Sequence, residues 1–106
     1  MRQRVMRLII MFDLPVETST DRRNYRQFRK VLINEGFLMI QESIYGRIAV
    51  NKPAAEFMEE RIAKQAPPRG LVQSLIITEK QYANIRYLTG QDPNILEDKF
   101  ERLTII

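Results

Sequence analysis

Nine residues near the N-terminus, Arg7 to Pro15 (RLIIMFDLP), restrict what this chain can become. An apolar run of this length, closed by a proline, reads as a strand over Val5–Leu14. Side chains alternate across a strand, so its faces can be read separately. Met6, Leu8, Ile10, Phe12 and Leu14 form a wholly apolar face. Val5, Arg7, Ile9, Met11 and Asp13 form a mixed one. Pro15 ends the strand because it lacks the amide hydrogen that a sheet ladder needs. Asp13 therefore stands at a strand end, either as a cap for the following loop or as a functional carboxylate on rigid backbone.

The remaining elements follow from periodicity and punctuation. A helix is predicted from about Asp21 to Glu35, with Thr20 as N-cap and Gly36 as its stop. Tyr25, Phe28 and Leu32 fall on one stripe of it, with Val31 at the edge. Arg22, Arg23, Arg26, Arg29 and Lys30 gather in an arc of about 120° on other faces. Phe37–Ile40 and Ser43–Val50 read as two strands joined near Gln41 and Glu42 by a tight turn or bulge. Asn51 caps a second helix with Pro53 in its first turn, running to about Ala66. Phe57, Met58, Ile62 and Ala66 are its expected buried side. PPRG, Pro67 to Gly70, is a break, and Leu71–Thr78 is a fourth strand. Glu79–Leu88 reads as a short helix and Leu103–Ile106 as a terminal strand.

The order β-α-β-β-α-β plus a C-terminal extension predicts an α+β, ferredoxin-like fold. In that fold both helices cover one face of the sheet. Ile9, Met11, Leu75 and Ile77 are then expected on the other face, which a homodimer would cover. A chain of 106 residues makes one domain, 1–106, and a modest core. Residues 91–106 are expected to serve as a docking extension for the dimer or a partner.

Composition narrows the chemistry. There is no cysteine and no histidine, so disulfides, thiolate zinc sites and imidazole-based catalysis are all excluded. Any metal would be a hard cation held by oxygen, such as Mg2+ or Mn2+. Residues 1–52 hold ten Lys/Arg against five Asp/Glu, while residues 53–106 hold seven against eight. A basic N-terminal half favours a polyanionic partner. No run approaches the roughly 18 apolar residues of a membrane span, and no secretory leader pattern is present. The expected setting is cytoplasmic, with no membrane partner.

Several segments, in order, resemble one family over nearly the full chain. They are a first strand ending in aspartate (IIMFD), an arginine-rich helix (DRRNYRQFRKVL), and Gly36 before the second strand. IQESIYGRI follows, similar to a glutamine-x-serine-aliphatic-aromatic signature, and SLIITEKQY is similar to the fourth strand of a type II branch. The family is the second protein of the CRISPR-associated series, the small endoribonuclease-like proteins of spacer acquisition. The resemblance implies a ferredoxin-like homodimer that bridges CRISPR integrase subunits, with double-stranded protospacer DNA lying across it. It also implies, for some members, metal-dependent cleavage of RNA or DNA by the aspartates ending the first strands. Here that residue is Asp13, the catalytic and metal candidate, with Mg2+ or Mn2+ as cofactor. Phe12 stands where the family often has tyrosine.

Two functions of different class are therefore open. One is a DNA-binding adaptor that uses the basic arc Arg22, Arg23, Arg26, Arg29 and Lys30, since arginine forks grip phosphate. The other is a metal-dependent endonuclease using paired Asp13 residues across a two-fold axis. Set against them, the arc reads as a solvated helix face and Asp13 as a loop cap. Arg2, Arg4, Arg7 and Arg47 would extend the arc, or Arg7 and Arg47 would serve the dimer face. Ser43 and Tyr45 are candidate polar neighbours of Asp13.

Overall fold

The structure, a computed structural model, describes residues 4–90. Seven elements follow the predicted order. They are β1 (Met6–Asp13), α1 (Ser19–Asn34), β2 (Leu38–Gln41), β3 (Ile44–Ala49), α2 (Lys52–Ala63), β4 (Leu71–Thr78) and α3 (Glu79–Ala83). The expected extension 91–106, with Leu103–Ile106, lies outside the described residues, as does Arg2.

One four-stranded sheet has the order β2-β3-β1-β4, and every neighbouring pair is antiparallel. The β1-α1-β2 connection skips over β3, and the β3-α2-β4 connection skips over β1. That split βαβ arrangement places β1 centrally. The apolar face of β1 is the floor of the core: Leu8, Ile10, Phe12 and Leu14 pack with Phe28, Leu32, Phe37, Tyr45 and Ile62. Each such side chain contributes roughly 1.5–3 kcal/mol by leaving water.

Helix α1 starts two residues earlier than its cap prediction. Thr18, not Thr20, is the N-cap: its hydroxyl accepts from the Asp21 amide at 3.0 Å, and the Asp21 carboxylate accepts from the Thr18 amide at 3.2 Å. This reciprocal capping box satisfies two orphan donors, which Thr20 cannot do. The helix ends as expected at Gly36, whose φ of +87° favours glycine. The Gly36 amide donates to the Ile33 carbonyl and the Phe37 amide to that of Leu32, the pairing that closes a helix through a left-handed residue. Arg47 donates to the Glu35 carbonyl, so it caps α1 and does not serve the open sheet face.

Helix α2 is capped by Asn51, which accepts from the Ala54 amide at 2.8 Å. It ends at Ala63, short of Ala66. Its buried residues are Ala55 and Ile62, and Phe57 is 63% exposed. Two residues turn a helix by about 200°, so Phe57 points away from the stripe set by Ala55 and Ile62. Helix α3 stops at Ala83, with Asn84 as C-cap, five residues before the predicted end at Leu88. Strand β4 has the predicted bounds. No helix among the described residues is long and apolar enough to cross a membrane.

Candidate functional site

The strand register places Arg7, Ile9, Met11 and Asp13 on the sheet face away from the helices. Arg7 pairs with Ile77 and Ile48, Ile9 with Leu75 and Gly46, and Met11 with Gln73 and Ile44. Leu75, Ile48 and Leu71 are about half exposed on that face. One end of it is covered by α3. Arg7 donates to Glu79 at 2.5 Å and lies 4.1 Å from the centre of the Tyr82 ring. The hydrogen bond to Glu79 raises the Arg7 pKa, and the guanidinium is held in this pair. Asp13 stands at the uncovered end.

Asp13 itself is exposed, but its surroundings are rigid. Phe12, directly before it, sits edge-on to Tyr25 and Phe28 and stacked on Tyr45, with centroids 5.3–5.8 Å apart. Such contacts contribute roughly 0.5–1.5 kcal/mol each beyond burial. The Phe12 amide donates to the Ser43 carbonyl at 3.0 Å. Ser43 has φ +67°, uncommon for a residue other than glycine. Its hydroxyl lies 3.4 Å from the Tyr25 hydroxyl. Together with a β-bulge between Met39 and Gln41, this turn brings Glu42 and Ser43 to the end of β1.

The result is a shallow depression of about 280 Å³ lined by Asp13, Glu42, Ser43, Gln73, Met11, Phe12, Ile44 and Leu71. Ser43 is thus a neighbour of Asp13, as expected. Tyr45 is not: it is buried beneath Phe12. Glu42 is a second carboxylate that sequence reading missed. Its signal was the turn expected at Gln41 and Glu42, but only the left-handed conformation of Ser43 shows where that turn points. Every polar donor in the depression is oxygen-based and suits a hard cation. Among the described residues no three His, Cys, Asp or Glu side chains group to hold a metal ion.

The basic arc is a separate surface. Arg22, Arg23, Arg26, Arg29 and Lys30 are all exposed on α1. Arg22 folds back on its own loop, donating to the Val16 and Glu17 carbonyls at 3.1 Å each. Arg23, Arg26, Arg29 and Lys30 line one groove along the helix. Asp21 and Glu35, the acids in the first turn and at the C-cap of this helix, are engaged by arginines from elsewhere. Asp21 pairs with Arg69 at 3.0 Å and Glu35 with Arg61 at 2.6 Å. Neither is left to neutralise the arc.

Comparison with known proteins adds an independent finding. Residues 6–85 match the family described as CRISPR associated protein Cas2. A protein of Ligilactobacillus salivarius named "CRISPR-associated endoribonuclease Cas2" is 55% identical over 95% of this chain and 100% of its own length. Proteins of the same name from Treponema denticola and Streptococcus mutans are 42% and 39% identical over 95% of this chain, covering 100% and 93% of their own lengths.

Proposed function

The chain belongs to the Cas2 family of CRISPR-associated proteins, and from that premise we propose that it acts as a dimeric, DNA-binding adaptor in spacer acquisition. One domain, 1–106, forms a homodimer through the open sheet face, and residues 91–106 dock on the second copy or on an integrase subunit. The dimer bridges CRISPR integrase subunits of a type II system in the cytoplasm. Arg22, Arg23, Arg26, Arg29 and Lys30 contact the phosphates of double-stranded protospacer DNA. The observation that carries this is the α1 arc: its five cations are exposed, four of them line one groove, and Asp21 and Glu35 pair with Arg69 and Arg61 rather than with the arc. Phosphate binding needs only such a row of cations. The test is reconstitution of spacer integration with purified integrase and a duplex. Glutamine at Arg26, Arg29 and Lys30 should abolish assembly on DNA while the protein stays folded.

A second reading has its own support. Relatives named endoribonuclease direct attention to the depression at Asp13. Asp13 and Glu42 line this depression with Ser43 and Gln73, so their oxygens would be the ones to hold Mg2+ or Mn2+, and in the proposed dimer the two Asp13 depressions would face one another. Such a cation, when bound, activates water and neutralises phosphate charge. In this reading Asp13 is the catalytic carboxylate, and Asp13→Asn should abolish metal-dependent cleavage of RNA or DNA.

A further inference from the structure

Asp21 is the one charged side chain buried among the described residues, 3% exposed. Its carboxylate accepts from the Thr18 amide and, through both oxygens, from Nη1 of Arg69 at 3.0 and 3.2 Å. The partners are 48 residues apart in sequence. The pair therefore ties the start of α1 to the turn between α2 and β4. The next residue in that turn is Gly70, with φ +100°. A Cβ built on Gly70 would lie 2.7 Å from the Asp13 carbonyl oxygen and 3.1 Å from the Leu14 Cα. The backbone of this turn thus lies directly against the backbone of Asp13. Ladder pairing continues from it, with Leu71 opposite Asp13.

We propose that Asp21 and Arg69 are positioning residues for Asp13. Their ion pair clamps the 67–70 turn onto the end of β1 and fixes where the Asp13 carboxylate is presented. This rests on the second reading above only where it concerns the cation, because the clamp itself is a statement about Asp13 in the metal-free protein. The Asp21 carboxylate is buried and the Arg69 side chain is 61% exposed, so loss of Arg69 would leave a buried carboxylate without its charged partner.

The test compares Arg69→Gln, Arg69→Lys and Gly70→Ala with the parent chain. Two quantities are measured on protein shown to be folded: the Asp13 carboxyl carbon resonance without metal, and Mn2+ affinity by electron paramagnetic resonance. Arg69→Gln should move and broaden the Asp13 resonance and measurably weaken Mn2+ binding. Arg69→Lys, which restores the charge, should recover most of both. Gly70→Ala, which keeps both Asp21 and Arg69 but crowds the Asp13 backbone, should displace the same resonance. A folded Arg69→Gln protein with the parent resonance would overturn the clamp, since a merely structural pair changes stability and not Asp13. Asp13→Asn separates the two ideas. Unchanged Mn2+ binding in that variant would sink the cation site while the metal-free resonance still decides the clamp.

Discussion

Asp13 combines an exposed carboxylate with a backbone held on three sides: by the rings around Phe12, by Ser43 and by Gly70. Exposure and rigidity together have a testable consequence. Asp13→Asn should change unfolding free energy by less than about 0.5 kcal/mol in urea titration, as ordinary surface substitutions do. In the same variant any metal-dependent cleavage should fall to background. Gly70→Ala should behave in the opposite way. Its left-handed φ alone disfavours a side chain by roughly 1–2 kcal/mol, and the new methyl meets Asp13 and Leu14 backbone. A loss of about 2 kcal/mol or more is expected, read from the urea midpoint. The strand face of Asp13 was legible because alternation along β1 fixes it. Glu42 and the Asp21–Arg69 pair were not. The first depends on one left-handed serine, and the second on a contact across 48 residues that no local pattern encodes.

At the scale of elements, β1 was readable from a nearly continuous apolar run closed by proline, and β4 from an apolar-rich stretch opened by glycine. Helix α1 was readable because its stripe and its arc occupy different angles. Phe57 was misjudged because its apolarity was weighed above its angle. Thr20 was misjudged because two threonines precede the helix and only one of them, Thr18, has an acid three residues on. Thr18→Ala should therefore cost about 1 kcal/mol, measured by thermal or urea unfolding. The arc makes a sharper prediction. Arg22 is better left in place, since it holds the Val16 and Glu17 carbonyls. If Arg26, Arg29 and Lys30 each meet a phosphate, glutamine at all three should flatten the slope of log affinity against log salt. The change should be about 2.7 per chain and about five for a dimer. The loss should be equal for duplexes of any sequence, because phosphates carry no base information. Folding should survive, since the core stripe of Phe28 and Leu32 is untouched. An unchanged slope in the folded variant would leave the arc as a solvated face.

At the scale of the molecule, the sheet has one face under two helices and one without them. The second face is not uniform. At one end, Arg7, Glu79 and Tyr82 close it with an ion pair and a cation–π contact within the chain. Towards the other, Leu71 beside Asp13 and Leu75 beside Ile9 remain about half exposed. Exposed apolar surface grouped on one sheet face marks an interaction site more than scattered single residues do. Two copies related by a two-fold axis would bury these side chains against each other. They would also bring the two Asp13 depressions to a common interface. The chain should therefore sediment at micromolar concentration, without DNA, at twice the 12.6 kDa of one copy. Leu75→Glu should shift it to the single-copy mass, because a charge would be buried in each half of the interface. The substitution should leave the monomer folded by circular dichroism, since Leu75 packs on no part of the helix-covered core. Leu75→Glu remaining dimeric would move the interface to another face. The proposed meeting of the two Asp13 carboxylates would then fail with it, while the α1 arc, on a different surface, would keep its role with DNA.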